Sequence, residues 1–234
     1  MPHVRSLAMQ HAVATVEHDD LEADTHRVYA ALRRGGLALV PIEAGYGLIA
    51  IEEPAVRRIY ELKGRPATKP CVTVASPAIT ASVAAPIAPP IVHWIAAIAK
   101  VSPLAIVTAV AADSALRGSQ SAFVRDQTTS HDTIALFYAA GRLVESVAEL
   151  ARRDGRLVVG SSANLSGTGN NYRFADVPAV MVDGVDLALD RGPTHSSGAS
   201  ERLASTILDL TTGTFLRRGI DFDRISASWH ALRR

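Results

Sequence analysis

Short apolar segments alternate with amphipathic helical segments along most of this sequence, and this alternation limits the folds open to it. Continuous apolar runs are typical of buried strands, and they occupy residues 37–42, 71–75, 104–110 and 133–139. Other segments have apolar residues at helical spacing and end at a glycine or at the next strand, so they are predicted to be helices. These segments are residues 20–34, 52–63, 89–100 and 141–155. We therefore predict an α/β fold with one antiparallel hairpin, at residues 205–219.

The remaining segments suggest one main domain with short ends. Strands are predicted at 156–159 and 187–190, with a short helix near 174–182 between them, and a Gly/Ser-rich loop at 192–201. The polar stretch 113–132 is predicted to be a long surface loop. Residues 1–18 are read as a loosely ordered lead-in, residues 19–222 as a single domain, and residues 223–234, with Trp229, as a loose tail.

Composition and charge limit the cellular setting and the kind of partner. Lysine and arginine total 24 against 23 acidic residues, so the net charge of +1 neither demands nor excludes a nucleic-acid partner. The single cysteine, Cys71, rules out an internal disulfide framework and a Cys-based zinc cluster. No secretory-type apolar run opens the sequence, and prolines interrupt its most apolar stretch, 87–112, so we expect a cytoplasmic protein without a membrane span.

The segment RIYELKGRPATKP, residues 58–70, places three cations around the end of a helix. Gly64 is a helix terminator and Pro66 disfavours helical geometry at Arg65, so Lys63 and Arg65 can both turn beyond the helix end. Lys69 follows on the same loop. Three clustered cations suit a polyanion such as a triphosphate. The alternative is a solvated basic turn that complements the helix dipole.

The segment GSSANLSGTGNN, residues 160–171, directly follows a predicted buried strand. Small residues let backbone N–H groups approach an anion closely, Ser162 offers a hydroxyl, and Asn164 offers both a donor and an acceptor. The lysine of a Walker loop and the G-x-S-x-G pattern of a nucleophilic serine are both absent. An ordinary Ser/Gly surface loop is the alternative.

The histidines do not form a metal-binding pattern. They lack an H-x-x-x-H pair, and they lie at His3, His11, His18, His26, His93, His131, His195 and His230. We expect no metal held by the protein itself, whereas a Mg²⁺ carried by nucleotide phosphates would need few protein ligands.

Three separated segments, taken together, resemble the YrdC-type threonylcarbamoyl-adenylate synthase family. The stretch VPIEAGYGL (40–48) leading to YELKGRPATKP (60–70) is similar to the family's strand, turn, helix and K-x-R-P loop. The stretch VVGSSANLSG (158–167) is similar to its A-N-x-S-G segment, and STILDLTTGTFLRRG (205–219) to its closing hairpin. The segments follow the family's order.

The resemblance implies a twisted, open, mixed sheet with flanking helices, curved around a concave, basic cavity. It also implies a nucleotidyltransferase that combines ATP, bicarbonate and L-threonine into threonylcarbamoyl-AMP and pyrophosphate, the first stage of threonylcarbamoyladenosine formation in tRNA. The expected cofactors are ATP, Mg²⁺ carried by the nucleotide, and bicarbonate as co-substrate.

Carried onto matching positions, the resemblance implies roles for nine residues. Lys63 and Arg65 would be catalytic, holding phosphates and the carbamate. The nucleotide would be bound by Lys69, Ser162, Asn164, Ser205 and Arg217. Glu43 and Tyr46 would line the amino-acid end.

Two departures fall on the amino-acid side. Ile42 stands where the family has threonine, and Phe137 where it has an arginine expected to grip the amino-acid carboxylate. Arg117 and Arg125 are candidates to replace that arginine. One hypothesis is therefore a carbamoyl-adenylate-forming enzyme that acts on threonine or on a more apolar acceptor. The other is a non-catalytic relative that binds nucleotide or the backbone of double-stranded RNA.

Overall fold

The computed structural model describes residues 13–15, 21–194 and 202–234. The predicted lead-in at 1–18 lies outside the described residues except for 13–15, and so does most of the predicted loop at 192–201. His3, His11, His18 and His195 lie outside them as well.

The described residues form one eleven-stranded mixed sheet. Its strands are β1 (Val13–Thr15), β2 (Ala38–Ile42), β3 (Gly45–Ala50), β4 (Val72–Val74), β5 (Leu104–Ala109), β6 (Thr129–Ser130), β7 (Thr133–Tyr138), β8 (Val159–Ser162), β9 (Leu187–Asp190), β10 (Thr206–Asp209) and β11 (Thr214–Arg217). Across the sheet the order is β1-β9-β2-β3-β8-β4-β7-β5-β10-β11, with β6 paired to β7. The predicted α/β class with a mixed sheet is confirmed.

Helices flank this sheet. They are α1 (Leu21–Arg33), α2 (Glu53–Lys63), α3 (Pro77–Val83), α4 (Pro89–Ala99), α5 (Ala115–Gly118), α6 (Ala122–Thr128), α7 (Arg142–Arg153), α8 (Ala179–Asp183) and α9 (Phe222–Leu232), with a 3₁₀ turn at Phe174–Asp176. In α2 the apolar positions Val56 and Ile59 are buried, and the helix ends at Gly64, whose φ of 54° is left-handed. The predicted glycine stop is confirmed.

Antiparallel pairing is more extensive than the sequence indicated. The hairpin β10–β11 is antiparallel as predicted, but so are β2–β3, β3–β8, β4–β8 and β5–β7. The β2–β3 connection is only two residues long, and the chain then passes Gly45 at φ 122°, where an added Cβ would lie 2.6 Å from the Asn171 carbonyl oxygen. This tight turn requires glycine. Because the turn is so short, β2 and β3 look like nearly continuous apolar sequence, and the pattern does not indicate a hairpin.

The prediction of a long surface loop over 113–132 is wrong. Residues 115–118 and 122–128 are helical, and 129–130 pair with β7. Ser114 and Ser121 cap the two helices by accepting hydrogen bonds from the Arg117 and Val124 amides. Two well-placed caps allow helices to form in a stretch that is otherwise polar.

The prediction of a loose tail around Trp229 is also wrong, because residues 222–232 form α9. Trp229 is only 3% exposed and packs against Trp94 of α4, with ring centroids 5.1 Å apart. Ser228 adds a hydrogen bond from the Trp94 indole at 2.9 Å. Across the described ranges, no helix has both the length and the apolar character that a membrane crossing would need.

Candidate active site

A cavity of about 270 Å³ lies against the central strands of the sheet. Its polar lining consists of Arg65, Ser161, Ser162, Asn170, Ser205 and Arg217. The other lining residues are apolar side chains and glycines, drawn mainly from β2 to β5, β7, β8, β10 and β11. Four of the nine predicted site residues therefore meet at one cavity, whose walls are largely apolar.

Arg65 is fixed on the loop after α2 by contacts with that loop's own backbone. Its Nε donates to the Lys69 carbonyl oxygen at 2.9 Å, and one Nη donates to the Pro70 carbonyl oxygen at 2.7 Å. The other Nη lies 3.4 Å from the Ser161 hydroxyl. A guanidinium carries five N–H donors, so two remain for a ligand in the cavity. Arg65 is thus held in place and still able to bind an anion.

Lys63, two residues earlier, points into the protein instead. It is 3% exposed, and its Nζ donates to the Ser162 carbonyl oxygen, to the Asn164 carbonyl oxygen at 2.6 Å and to Asn164 Oδ1 at 3.2 Å. These three oxygens match the three ammonium donors. The predicted meeting of the 63–65 and 162–164 segments is observed, but Lys63 does not line the cavity.

Burial changes the electrostatics of Lys63. Burial, and secondly the charge of nearby Arg65, lower the pKa of the Lys63 ammonium to about 8. The three oxygen acceptors act in the opposite direction, because they stabilise the charged form. Lys63 therefore stays mainly charged near neutral pH.

Ser162 and Asn164 occupy different places. Ser162 ends β8 and lines the cavity, and its hydroxyl contacts Asn164 Oδ1. Asn164 is buried, and its Nδ2 donates to the Leu165 carbonyl oxygen at 2.8 Å. Asn164 is absent from the cavity lining. The position of Asn164 suits it to shape the chain after β8, whereas Ser162 is open to a ligand.

The closing hairpin supplies the second cation. Arg217 on β11 donates from Nε to the Ser205 carbonyl oxygen at 2.7 Å and from Nη2 to the Ser205 hydroxyl at 3.0 Å. Arg217 is solvent-exposed and also belongs to the cavity lining. Desolvation, and then the charge of Arg65, lower the pKa of its guanidinium. Arg65 and Arg217 both line the cavity, so an anion bound there can reach both guanidinium groups.

Besides Lys63 and Asn164, three further predicted site residues do not line this cavity. The Lys69 side chain is exposed, and only its carbonyl oxygen takes part, by accepting from Arg65. Glu43 lines a separate depression together with Arg142 and Arg191. Tyr46 is fully buried, and its hydroxyl donates to Gly192 O at 2.7 Å and lies 3.0 Å from Asp190 Oδ1. Burial raises the pKa of Tyr46, so the hydroxyl stays protonated in this internal role.

The two departures from the family pattern both face the cavity. Ile42 and Phe137 line it, and Val74 and Val144 extend the same apolar surface. Arg117 and Arg125 do not line it, and Arg125 instead donates to the Gln120 carbonyl oxygen at 2.6 Å. Neither arginine therefore replaces the positive charge that is absent at position 137.

The sequence analysis did not identify Ser161 and Asn170 as site residues, nor the Tyr60 hydrogen bonds that support the loop carrying Arg65. The Tyr60 hydroxyl lies 3.1 Å from the Lys69 carbonyl oxygen and 3.3 Å from the Gln127 carbonyl oxygen, which also accepts from the Cys71 amide at 2.7 Å. The end of α6 thus supports the loop that carries Arg65. Ser161 could have been found from its place beside Ser162. The Tyr60 hydrogen bonds join distant segments, so no local sequence pattern indicates them.

Metal binding has little support from side chains at the cavity. Within residues 13–15, 21–194 and 202–234, no group of three or more His, Cys, Asp or Glu side chains could hold a metal ion. No Asp or Glu belongs to the cavity lining in these ranges. Serine hydroxyls and the Asn170 amide are the neutral oxygens available there for a hydrated Mg²⁺ on a nucleotide.

Comparison with known proteins identifies relatives for most of the chain. Residues 30–219 match the family model described as "Telomere recombination", the Sua5/YciO/YrdC model. Threonylcarbamoyl-AMP synthase of Pyrococcus abyssi is 28% identical over 182 residues, which are 77% of this chain and 48% of that protein. The chain therefore spans about half the length of this curated relative.

Solved structures agree with the sequence match. Pyrococcus abyssi Sua5 complexed with L-threonine is 27% identical with a TM-score of 0.68, covering 87% of this chain and 56% of that one. A hypothetical protein of Streptococcus mutans, 18% identical, shares the fold with a TM-score of 0.73 over 87% of this chain and 90% of that one. Because the family model matches well over half of its residues, the chain belongs to the Sua5/YciO/YrdC family.

Proposed function

We propose that this protein forms a carbamoyl-adenylate from ATP, bicarbonate and an amino acid, with release of pyrophosphate. The observation that carries the proposal is the pairing of Arg65 and Arg217 at one cavity, each held by main-chain carbonyl oxygens. Two guanidinium groups brought together against their mutual repulsion suit a strongly anionic ligand such as a nucleotide phosphate. The distant relationship to threonylcarbamoyl-AMP synthase supports this reaction class.

The residues at the cavity fit the charge changes of such a reaction. The amino group of the acceptor forms a C–N bond with the bicarbonate carbon while a C–O bond breaks and water leaves, and an oxygen of the resulting carbamate attacks the α-phosphorus of ATP. The bond from this phosphorus to the bridging oxygen breaks, and pyrophosphate leaves with the electron pair. Negative charge builds up on the α-phosphate oxygens, where Arg65 and Arg217 can stabilise it. The hydroxyls of Ser161 and Ser205 accept from the two arginines and can donate to the same phosphate oxygens, whereas the Ser162 hydroxyl already donates to Asn164 Oδ1.

Lys63 supports this site from behind in the proposed arrangement. Its ammonium ties the Ser162 and Asn164 carbonyl oxygens to the end of α2, which fixes the end of β8 relative to Arg65. Arg65 therefore carries the catalytic contact, and Lys63 acts as a positioning residue. Mg²⁺, when bound to the triphosphate, would neutralise part of its charge.

The acceptor is proposed to be threonine or a more apolar amino acid. Ile42 and Phe137 present hydrocarbon where a hydroxyl and a guanidinium would favour threonine and its carboxylate. A lost charged hydrogen bond costs roughly 1.5–3 kcal/mol, which is about ten- to hundredfold in affinity. This apolar surface instead favours acceptors with aliphatic side chains.

Pyrophosphate release from ATP tests the proposal directly. The full chain is incubated with ATP, Mg²⁺ and bicarbonate, with and without each of the twenty amino acids. Release that depends on both bicarbonate and an amino acid, and that is lost in Arg65→Ala but kept in Arg34→Ala, supports the enzyme. Arg34 is a suitable control because it is an exposed arginine outside the cavity lining. Binding of ATP or double-stranded RNA without turnover for any acceptor would instead support the non-catalytic alternative.

A further inference from the structure

A second cavity, of about 600 Å³, lies between α3, α4, the end of β7 and the start of α7. It is separate from the first cavity. Successive residues of a strand point to opposite faces of a sheet, and on β7 Phe137 lines the first cavity while Tyr138 lines the second. The proposed synthase reaction makes no use of this second space.

Small apolar side chains form most of its walls. The alanines of the lining are Ala75, Ala81, Ala84, Ala85, Ala96, Ala99 and Ala139. Ile87, Val92 and Ile95 complete the apolar surface, and Val92 is 41% exposed at its edge. Alanine at so many wall positions leaves room that larger side chains would fill in a packed core. The space is in the range of cavities that hold small organic ligands.

A few polar groups stand on these apolar walls. Thr80 and Tyr138 belong to the lining, and their hydroxyls hydrogen-bond to each other. Lys100 belongs to the lining, and no ion pair or hydrogen bond engages its ammonium in the part of the chain that the structure describes. Lys100 is solvent-exposed, so its ammonium can pair with the anionic group of a ligand that enters from solvent.

Glu145 is the acidic residue of this lining, and its surroundings differ from those of Lys100. Glu145 also lines a neighbouring shallow depression, together with Arg142 and Arg153. It lies in the first turn of α7, where the helix dipole favours a negative charge. The helix dipole therefore stabilises the Glu145 carboxylate, and within the described residues no ion pair joins Glu145 to Lys100.

One lining residue, Ala139, has an unusual backbone conformation. Ala139 has a φ of 52°, in the left-handed region that residues with a Cβ seldom adopt. It immediately follows Tyr138 and lies two residues before Gly141, which has a φ of 101° and precedes α7. Strained residues of this kind concentrate at ligand sites, where the surrounding structure holds them in place.

We propose that the second cavity binds a small apolar carboxylate, with its hydrocarbon body against the alanines and its carboxylate at Lys100. The apolar walls supply affinity in proportion to the hydrocarbon buried, and Lys100 selects the negative head group.

Titration of the full chain with straight-chain probes tests this assignment. Hexanoate, octanoate, octanol and octylamine are compared by calorimetry at neutral pH. Octanoate is expected to bind about 15-fold tighter than hexanoate, since each buried methylene contributes about fourfold. Octanoate should also bind more tightly than octanol, and octylamine most weakly. Equal affinities of octanoate and octylamine, or no dependence on chain length, would overturn the proposal.

Matched variants distinguish the contribution of the apolar walls to octanoate binding from that of the Lys100 charge. Ala96→Phe fills the cavity and should abolish octanoate binding, and Lys100→Met should weaken it roughly tenfold while sparing octanol. Glu145→Gln should bind octanoate as well as or better than the unmodified protein. Arg65→Ala should leave octanoate binding unchanged, which separates this result from the fate of the proposed synthase reaction. A dimer that Ala96→Phe converts to monomer, without octanoate binding, would show an interface between copies and overturn the proposal.

Discussion

The two walls of the first cavity are built from different parts of the fold and suit different chemistry. The polar wall comes from the loop after α2, the end of β8 and the closing hairpin, and it carries Arg65, Ser162 and Arg217. The apolar wall comes mainly from strand faces and carries Ile42 and Phe137. Groups on the polar wall are held by hydrogen bonds to main-chain oxygens, whereas the apolar wall continues the core. Under the proposed function, phosphate binding would depend on one wall and acceptor choice on the other, so substitutions could change the two properties independently.

The largest expected effect is the loss of the polar wall's first cation. Arg65→Ala should weaken ATP binding roughly 100-fold, because it removes charge-assisted hydrogen bonds from a largely apolar cavity in which Arg217 is the other lining cation. Equilibrium binding of a fluorescent ATP analogue measures this loss. The exposed Arg34→Ala variant should bind within twofold of the unmodified protein. An affinity in Arg65→Ala that matches Arg34→Ala would remove the polar wall from nucleotide binding.

The next largest expected effect concerns Lys63. Its burial should make the stability of the protein depend on pH. Burial lowers its pKa from 10.5 to about 8, so the unfolded chain binds more protons between those values. Stability from this residue therefore rises as the pH rises through that window. Between pH 7.5 and 9.5, the free energy of unfolding should increase by about 2 kcal/mol relative to Lys63→Met.

Urea denaturation of both proteins across this pH range measures the difference. The two proteins share every other titrating group, so the difference isolates Lys63. A flat difference would show that Lys63 titrates at its ordinary pKa. It would then belong with Arg65 at the open cavity instead of behind it.

The apolar wall is tested by adding back polar groups. Ile42→Thr combined with Phe137→Arg should raise threonine-dependent pyrophosphate release roughly tenfold, since a charged hydrogen bond to the acceptor carboxylate is gained. Release with aliphatic acceptors should fall. Ile42→Thr alone guards against a folding defect caused by a buried arginine, and it should give a smaller change in the same direction. Unchanged selectivity in both variants would separate these residues from acceptor choice.

The smallest effect is expected at Lys69. Its side chain is exposed and absent from the cavity lining, and only its main-chain oxygen contacts Arg65. Lys69→Ala should therefore change ATP affinity less than twofold in the same fluorescence measurement. A loss approaching that of Arg65→Ala would restore Lys69 to the nucleotide site that the sequence predicted for it.

The sequence predicts the framework of this site better than the direction of its side chains. Gly64 and Pro66 correctly mark where helix geometry ends, and the family resemblance correctly pairs that loop with the segment after β8. Local sequence cannot show that Lys63 turns inward, because its partners are carbonyl oxygens about a hundred residues away. The same holds for Tyr46, whose hydroxyl contacts Asp190 and Gly192 instead of lining the cavity.

The wrong predictions for residues 113–132 and for the C-terminal segment have a similar physical cause. The serine caps of α5 and α6 were visible in the sequence, but their helices are short and polar, so periodicity gave no signal. Trp229 became part of the core only through its contact with Trp94, more than a hundred residues away in the chain. Long-range packing decides such positions, and a single sequence does not display it.

A crystal structure with a non-hydrolysable ATP analogue tests the central claim most directly. The phosphates should lie within hydrogen-bonding distance of both the Arg65 and the Arg217 guanidinium groups, with Phe137 against the space left for the acceptor. Phosphates bound elsewhere, with the two arginines still facing an empty cavity, would contradict it.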